Sequence, residues 1–306
     1  MTSTSHASRR ADLLDPYELS RLSGLELATP EIVEGFIAGL HRSPRRGFSV
    51  EFAEHRMYQS GDELRYIDWK LLGRTDRLYV KQFEEETNLR AMVVLDTSGS
   101  MNWTGSPERR LTKLDYARRL AAALVLILLR QRDATGLITF DEAVRSITPP
   151  RARLNHWRDI LKVLTKLKPG KGTAAEGALT QVISQLRRRG LVIFVSDLLM
   201  DRDLAMLALK FLRHRGHQVL VLHVMDPDEC ELRGPAEARF EDPESERAIT
   251  LKPEQWAAVY RRTVAGELQL WEAACRRNRI GYERIMSDQP FGPALKQALV
   301  RATHVA

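Results

Sequence analysis

The sequence predicts an α/β fold in which a mostly parallel β-sheet is flanked by helices. From Ala91 onward, short apolar runs alternate with longer segments of helical periodicity, which is the pattern of strands separated by crossover helices. The runs 91–95 and 191–195 are apolar at every position, as expected for strands buried on both faces of a sheet. Both runs end at polar residues that include an aspartate. Functional groups of such folds lie at the carboxyl ends of the strands.

Composition describes a globular protein rather than a fibrous, disordered or membrane-spanning one. The chain has 306 residues, of which 43% are hydrophobic and 28% charged, so it can build one large domain or two modest ones. Its net charge of +7 favours acidic partners, although 40 acidic residues are spread among the basic ones. The longest apolar run, 120–129, is about half the length of a membrane span. With two cysteines and no signal peptide, a cytoplasmic location is expected.

Three parts follow one another along the chain. Residues 1–40 predict an N-terminal helical lead-in, residues 41–90 a small β-rich module, and residues 91–306 the α/β domain. In the module, alternating apolar and polar residues at 48–52 and 78–83 predict two half-buried strands. The polar residues between and beside them are better explained as turn caps and ion pairs than as a partner surface. They are Asp62, Arg65, Asp68 and Lys81.

In the α/β domain, each apolar run predicts a strand and each longer periodic segment a helix. The strands are predicted at 91–95, 136–140, 191–195, 218–224 and 280–286, with a short edge strand at 144–148 that Pro149 and Pro150 end. The helices are predicted at 111–131, 153–167, 174–189, 204–215, 253–277 and 293–303. Turn residues near 236–251 predict an inserted hairpin.

The segment after the first buried strand predicts a metal site. Asp96, Ser98 and Ser100 place three oxygen ligands at alternate positions of a tight loop. Asp197 ends a second parallel strand, and Thr173 follows Gly172 at the start of a helix, where a hydroxyl can face outward or cap the helix. Carboxylate and hydroxyl oxygens favour Mg²⁺, with Mn²⁺ or Ca²⁺ as alternatives. We predict that these five residues, Asp96, Ser98, Ser100, Thr173 and Asp197, form one site.

This arrangement resembles the metal-ion-dependent adhesion site (MIDAS) of von Willebrand factor type A (vWA) domains. The matching residues are Asp96-x-Ser98-x-Ser100, then Thr173 after a glycine, then Asp197 after an apolar strand. The resemblance implies that Ser98, Ser100 and Thr173 bind the metal directly. It also implies that Asp96 and Asp197 act directly or through water and hydrogen bonds. Such a site holds at most two negative charges, so the metal can accept an Asp or Glu of a partner protein.

The preceding segment narrows the resemblance to one bacterial family. The pattern Arg56-x-Tyr58-x-x-Gly61-Asp62-x-x-Arg65-x-Ile67-Asp68-Trp69, followed by Val80-Lys81-x-Phe83-x-Glu85, is similar to the DUF58 family. That family carries vWA-like domains, and the resemblance implies a partner of the MoxR class of AAA+ ATPases and a role in assembly or maturation of other proteins. Many relatives carry membrane-spanning helices before this segment, whereas this sequence shows none there.

Enzymatic function is not predicted. Lys171-Gly172-Thr173 lacks the adjacent Lys-Ser/Thr pair and the earlier glycine of a phosphate-binding P-loop. A nucleophilic Asp96 would need a second carboxylate where Ser98 stands, and His223 lies on an apolar strand, as a core residue does. We therefore predict a non-enzymatic, metal-dependent protein-interaction module with no catalytic residues and no specific nucleic acid. The alternative, suggested by the basic charge, is a nucleic-acid-associated or metal-assisted hydrolytic protein.

Overall fold

The structure, a computed structural model, describes residues 51–59, 67–84, 89–170, 176–234, 236–241 and 248–304. The predicted lead-in 1–40 lies outside these residues, as does Thr173. The strands are β1 Glu51–Met57, β2 Tyr79–Glu84, β3 Arg90–Asp96, β4 Ala134–Phe140, β5 Val144–Arg151, β6 Leu191–Ser196, β7 Gln218–Met225, β8 Ala238–Glu241, β9 Ala248–Leu251 and β10 Gly281–Met286. The helices are α1 Trp69–Thr75, α2 Lys113–Arg130, α3 His156–Lys166, α4 Glu176–Gln185, α5 Arg202–His214, α6 Pro253–Arg277 and α7 Phe291–His304.

Six strands form the central sheet, in the order β10-β7-β6-β3-β4-β5. All neighbouring pairs are parallel except β4 and β5, which are antiparallel. The α/β prediction is therefore confirmed. Strands β3 and β6 are direct neighbours, with Leu95 opposite Val195, so the residues that end these two strands meet at the same edge of the sheet.

Helices cover the sheet on both faces. Helix α2 is the centre of one face: 14 of its 18 residues are buried, and it packs with residues of α3 and α7 against one side of the strands. Residues of α4, α5 and α6 pack against the other side. Burial on both faces explains why β3 and β6 are continuously apolar. Thr112 caps α2 by accepting a hydrogen bond from the backbone N–H of Asp115.

The edge strand β5 corrects one prediction. Pro149 and Pro150 do not end the strand, which continues to Arg151. An edge strand tolerates proline because its outer N–H groups need no partner. The pairing with β4 also shifts register between Thr135 and Leu137, where the strand bulges opposite Gly136. A β-carbon on Gly136 would lie 2.6 Å from the Thr148 carbonyl oxygen, so the bulged segment occupies the space above this glycine.

Two smaller antiparallel pairs lie outside the central sheet. Strands β1 and β2 pair with each other, and α1 lies between them in the chain. Asp68 caps α1 by accepting hydrogen bonds from the N–H groups of Lys70 and Leu71, both at 3.0 Å, which is the cap role predicted for it. Strands β8 and β9 form a hairpin in the stretch where turn residues predict one. Among the helices that the structure describes, none has the length and apolar character needed to cross a membrane.

Candidate metal centre

A row of four buried aspartates lies along the carboxyl edge of the central sheet. Asp96 is the last residue of β3, and Asp141, Asp197 and Asp226 directly follow β4, β6 and β7. Each is at most 3% exposed, so water does not solvate these carboxylates. A buried carboxylate needs hydrogen bonds and a nearby positive charge. The partners of the four aspartates therefore show what each one does.

The outer two aspartates are paired with arginines. Asp141 forms an ion pair with Arg145 and accepts a hydrogen bond from the backbone N–H of Ala143 at 3.2 Å. Asp226 lies 3.3 Å from Arg110 and accepts hydrogen bonds from the hydroxyls of Thr104 and Ser287, both at 3.2 Å. These two carboxylates are fully compensated and hold the loops of the edge together.

Asp96 has no such cationic partner among the residues that the structure describes. Its Oδ1 accepts the backbone N–H of Ser98 at 2.9 Å, and its Oδ2 accepts the Ser196 hydroxyl at 2.6 Å. Burial and, after it, the nearby Asp197 charge raise the pKa of Asp96 to about 7, although the hydrogen bonds from Ser196 and Ser98 oppose the rise. A positive ion beside this carboxylate would stabilise its ionised form.

The two predicted serine ligands lie together in the loop after β3. Ser98 precedes a short 3₁₀ turn, Gly99–Asn102, which folds the loop back so that the hydroxyl oxygens of Ser98 and Ser100 lie 3.1 Å apart. Ser98 is 2% exposed and Ser100 9%. Adjacent oxygen ligands of an octahedral Mg²⁺ ion, at about 2.1 Å from the metal, are about 3.0 Å apart. The donor set of two hydroxyls beside a carboxylate therefore fits a small divalent cation.

Asp197 is held by a lysine that sequence reasoning did not identify. Lys113 Nζ donates to Asp197 Oδ2 at 2.8 Å and also to Glu229 Oε1. The other oxygen of Asp197 accepts the backbone N–H of Leu199 at 3.3 Å. Burial alone would lower the pKa of Lys113, but the charges of Asp197 and Glu229 outweigh that effect and raise it. Lys113 is therefore charged, and it occupies one side of Asp197.

The loop that leads toward Thr173 contacts the Asp96 loop directly. The backbone N–H of Gly170 donates to the Thr97 carbonyl at 2.6 Å, and the Thr97 backbone and hydroxyl both donate to the Phe140 carbonyl, at 2.7 and 2.8 Å. A β-carbon on Gly170 would lie 2.5 Å from Asp141 Oδ2, so the close approach requires glycine. Of the five predicted site residues, the structure brings Asp96, Ser98, Ser100 and Asp197 to one edge. Thr173 lies outside the described residues.

A cavity of about 720 Å³ opens beside Asp197. Its walls are the loop after β6, the start of α5 and the middle of α6, where the Tyr260 hydroxyl donates to the Glu229 carbonyl at 2.9 Å. His223 lies at its floor and is 4% exposed, with Nδ1 2.7 Å from the Tyr282 hydroxyl. Burial lowers the pKa of His223 to about 4. The histidine is thus a neutral, hydrogen-bonded core residue, as predicted.

Three residues at this edge were missed from sequence: Lys113, Asp141 and Asp226. A usable signal existed for the aspartates, because each follows an apolar strand as Asp96 and Asp197 do. Lys113 gave no signal. A lysine in the first turn of an amphipathic helix resembles any solvated residue, and its partner Glu229 is 116 positions away.

Comparison with known proteins identifies related chains. Residues 54–267 match the model of the family described as "Protein of unknown function DUF58". An uncharacterized protein of Mycobacterium tuberculosis is 30% identical over 241 residues, which are 77% of this chain and 74% of the relative. An uncharacterized protein of Mycobacterium bovis matches over the same length with the same identity.

One solved structure supports the assignment of the fold. It is the crystal structure of an aerotolerance-related membrane protein from Bacteroides fragilis, with a TM-score of 0.50 and 19% identity. The match covers 71% of this chain and 99% of that chain. At this identity the likeness concerns the fold alone. Together with the strand order, it gives a vWA-like α/β fold.

Proposed function

Because the chain belongs to the DUF58 family and has a vWA-like fold, we propose that it is a non-enzymatic protein-interaction module whose site binds a divalent cation. One observation supports this most strongly. Among the described residues, Asp96 is the buried carboxylate of this edge without a cationic partner, and it lies beside the paired hydroxyls of Ser98 and Ser100. A divalent ion would supply the charge that Arg110 and Arg145 supply to Asp226 and Asp141.

In this proposal, Ser98, Ser100 and Thr173 bind Mg²⁺, or Mn²⁺ or Ca²⁺, through their hydroxyl oxygens. Three residues span at most about 11 Å, so Thr173 is within reach of the loop that Gly170 contacts. The aspartates supply charge chiefly through hydrogen bonds and water, because both oxygens of Asp96 and of Asp197 already accept protein donors. When bound, the ion would act as a Lewis acid toward one external oxygen ligand.

That external ligand is a carboxylate of a partner protein. Three neutral hydroxyls and two aspartates leave the ion able to accept a further anionic oxygen, which an Asp or Glu side chain provides. A MoxR-type AAA+ ATPase is the partner that the sequence resemblance suggests, with assembly or maturation of other proteins as the shared task. No base or nucleophile is part of this proposal, so capture rather than hydrolysis is the expected activity.

The test is capture of partners from the native cell with the full chain as bait, in Mg²⁺ and in EDTA. We expect a set of partners that requires Mg²⁺ and is lost with Ser98→Ala. Removing a metal ligand should lower the affinity for Mg²⁺ by roughly tenfold or more. The matched control is Ser184→Ala, which removes an exposed serine hydroxyl of α4. An identical set of partners in all conditions contradicts the proposal. Nucleic acid that remains bound to Asp96→Ala and is released by salt would support the alternative function.

A further inference from the structure

The amino edge of the central sheet, at the opposite end of the strands from the candidate metal site, has a dense group of arginines. Helices α4, α5 and α6 end there, because each runs back across the sheet to the parallel strand that follows it. Those strands, β6, β7 and β10, are neighbours. From the last turn of each helix to the next strand there are eight arginines and no acidic residue. We call these residues the arginine patch: Arg187, Arg188, Arg189, Arg213, Arg215, Arg276, Arg277 and Arg279.

The arginines lie on one continuous surface. The connections before β6 and β7 touch, since the backbone N–H of Gln218 donates to the Gly190 carbonyl at 3.0 Å. A β-carbon on Gly216 would lie 2.9 Å from Arg189 Nε, so this side chain lies against the neighbouring connection. Strand β10 pairs with β7 from its first residue, which places the third connection beside the second. Seven of the eight arginines are exposed, and Arg213 is half-buried.

No ion pair compensates the arginine patch within the described residues. Glu272, four positions before Arg276, forms no ion pair with a described residue, and Glu283, which follows the patch in β10, is paired with Arg301 at 3.0 Å. Two of the guanidinium groups donate to backbone carbonyls near them. The other N–H groups of the patch can bind an external anion.

The helices explain only part of this charge. The C-terminal end of a helix attracts cations with about half a negative charge, so three such ends balance about 1.5 positive charges. The arginine patch has eight. Because the whole chain has a net charge of +7, the residues outside the patch together have a net charge of −1. The patch therefore accounts for the basic character of the protein.

Exposed apolar side chains lie beside the charges. Phe211 is 44% exposed and lies one helical turn before Arg215, whose guanidinium carbon is 4.9 Å from the ring centre. Leu207, on the same face one turn earlier, is 65% exposed. Single-stranded nucleic acid requires several aromatic faces for its bases, and Phe211 is the only Phe, Tyr or Trp of α4 and α5. Arginines beside exposed apolar residues favour a lipid surface instead.

We propose that the arginine patch docks the protein on a membrane surface rich in anionic phospholipid. Guanidinium groups bind phosphate oxygens through paired hydrogen bonds, and a cluster of basic residues is attracted to the negative surface. Phe211 lies about 6 Å from Arg215 along the helix, within the depth of about 5–10 Å that apolar groups reach at the boundary of headgroups and acyl chains.

Docking by the amino edge has a consequence for the candidate metal site. Strand β6 has six residues and is therefore about 20 Å long. The carboxyl edge, with Asp96 and Asp197, faces away from the membrane when the arginine patch rests on it, so the site stays open to other proteins. The proposal itself does not depend on metal binding.

The experiment measures co-sedimentation of the full chain with phosphatidylcholine vesicles that contain either no phosphatidylglycerol or roughly 30% of it, in EDTA, at low and at high salt. We expect binding to the anionic vesicles alone, and its loss at high salt. Arg187→Gln combined with Arg188→Gln and Arg189→Gln should lower the affinity for anionic vesicles by roughly tenfold or more. Phe211→Ser leaves the charge unchanged and should lower it by roughly threefold or more.

The matched control removes three exposed basic charges from α3, on the other face of the sheet. It combines Arg158→Gln, Lys162→Gln and Lys166→Gln, and it should bind vesicles as the wild type does. Circular dichroism checks the fold of each variant. If the triple arginine variant does not fold, Arg276→Gln combined with Arg277→Gln tests the same patch at the end of α6.

Two results overturn the proposal outright: absence of wild-type binding to anionic vesicles, and equal affinity of the two triple variants, which would mean that net charge alone sets the binding. Tighter binding to single-stranded RNA than to vesicles, unchanged by Phe211→Ser, overturns it in favour of nucleic acid. Because EDTA removes divalent ions, these results leave the proposed function untouched. Failure of Mg²⁺-dependent partner capture likewise leaves membrane docking intact.

Discussion

The partners of each buried aspartate at the carboxyl edge decide its role. Arginine compensates Asp141 and Asp226, and its several N–H groups can bond a carboxylate and neighbouring acceptors together. Lysine compensates Asp197 with a compact charge that it shares with Glu229. Asp96 receives hydrogen bonds from Ser98 and Ser196 but no cation from the described residues. Burial without a compensating cation raises the pKa of Asp96, and a bound metal ion would stabilise its ionised form.

A second buried histidine, His217, should make stability depend on pH. It is 2% exposed, its Nε2 lies 3.1 Å from the Leu186 carbonyl, and its Nδ1 has no hydrogen-bond partner among the described residues. Burial lowers the pKa of His217 below its usual 6.5. The unfolded chain therefore binds more protons as pH falls through 6.5, and the free energy of unfolding decreases.

The measurement is the free energy of unfolding from urea titrations between neutral and mildly acidic pH. We expect His217→Gln, which keeps a donor for the Leu186 carbonyl but does not titrate, to show a smaller loss of stability than the wild type over this range. His214→Gln, which removes an exposed imidazole from the end of α5, is the control. The explanation fails if the pH slope is the same in His217→Gln and the wild type.

At the scale of elements, sequence periodicity predicted the helices and strands that bury one face, and continuous apolar runs predicted the strands that are buried on both faces. Helix α6 begins at Pro253 and ends at Arg277, as predicted from the proline that starts the segment and the periodicity that follows it. The end of β5 was not predictable from the prolines alone. It depends on the bulge opposite Gly136, a residue of another strand, and on the edge position of β5. Neither the bulge nor the edge position can be predicted from the residues of β5 alone.

Gly136→Ala should therefore destabilise the protein through the β4–β5 pair. The new methyl group would lie 2.6 Å from the Thr148 carbonyl oxygen and 2.8 Å from the Pro150 nitrogen, which are backbone atoms that cannot rotate away. We expect the free energy of unfolding to fall by about 2 kcal/mol or more, as in other overpacked cores. Equilibrium denaturation in urea measures the change.

A second glycine provides the comparison. Gly177 lies in α4, and a β-carbon there would come no closer than 3.9 Å to any neighbouring atom. Gly177→Ala should leave stability unchanged or raise it by up to about 1 kcal/mol, because alanine favours the helix. Equal changes in the free energy of unfolding for the two substitutions would show that the close contact opposite Gly136 does not destabilise the alanine variant.

At the scale of the whole molecule, sheet topology assembles the candidate site. Asp96 and Ser196 are 100 positions apart, yet they are hydrogen-bonded because β3 and β6 are adjacent parallel strands. The α/β pattern implied that Asp96 and Asp197 share an edge, and this adjacency was predictable. The ion pairs of Lys113 were not, since they depend on where the turn after β7 places Glu229. The sequence thus indicated the residues of the candidate site but not the ion pairs around them.

Metal binding should be visible in the stability of the whole molecule, because an ion that binds only the folded state raises the melting temperature. At a concentration one hundred times its dissociation constant, the ion adds about 2.7 kcal/mol, which corresponds to several degrees for a chain of this size. We expect Mg²⁺ to raise the melting temperature of the wild type, and to raise it more when acetate is present, because the carboxylate supplies the ion with a further anionic oxygen ligand. Ser98→Ala should lose the shift and Ser184→Ala should keep it. A shift of equal size in both variants would mean that the ion binds elsewhere on the protein.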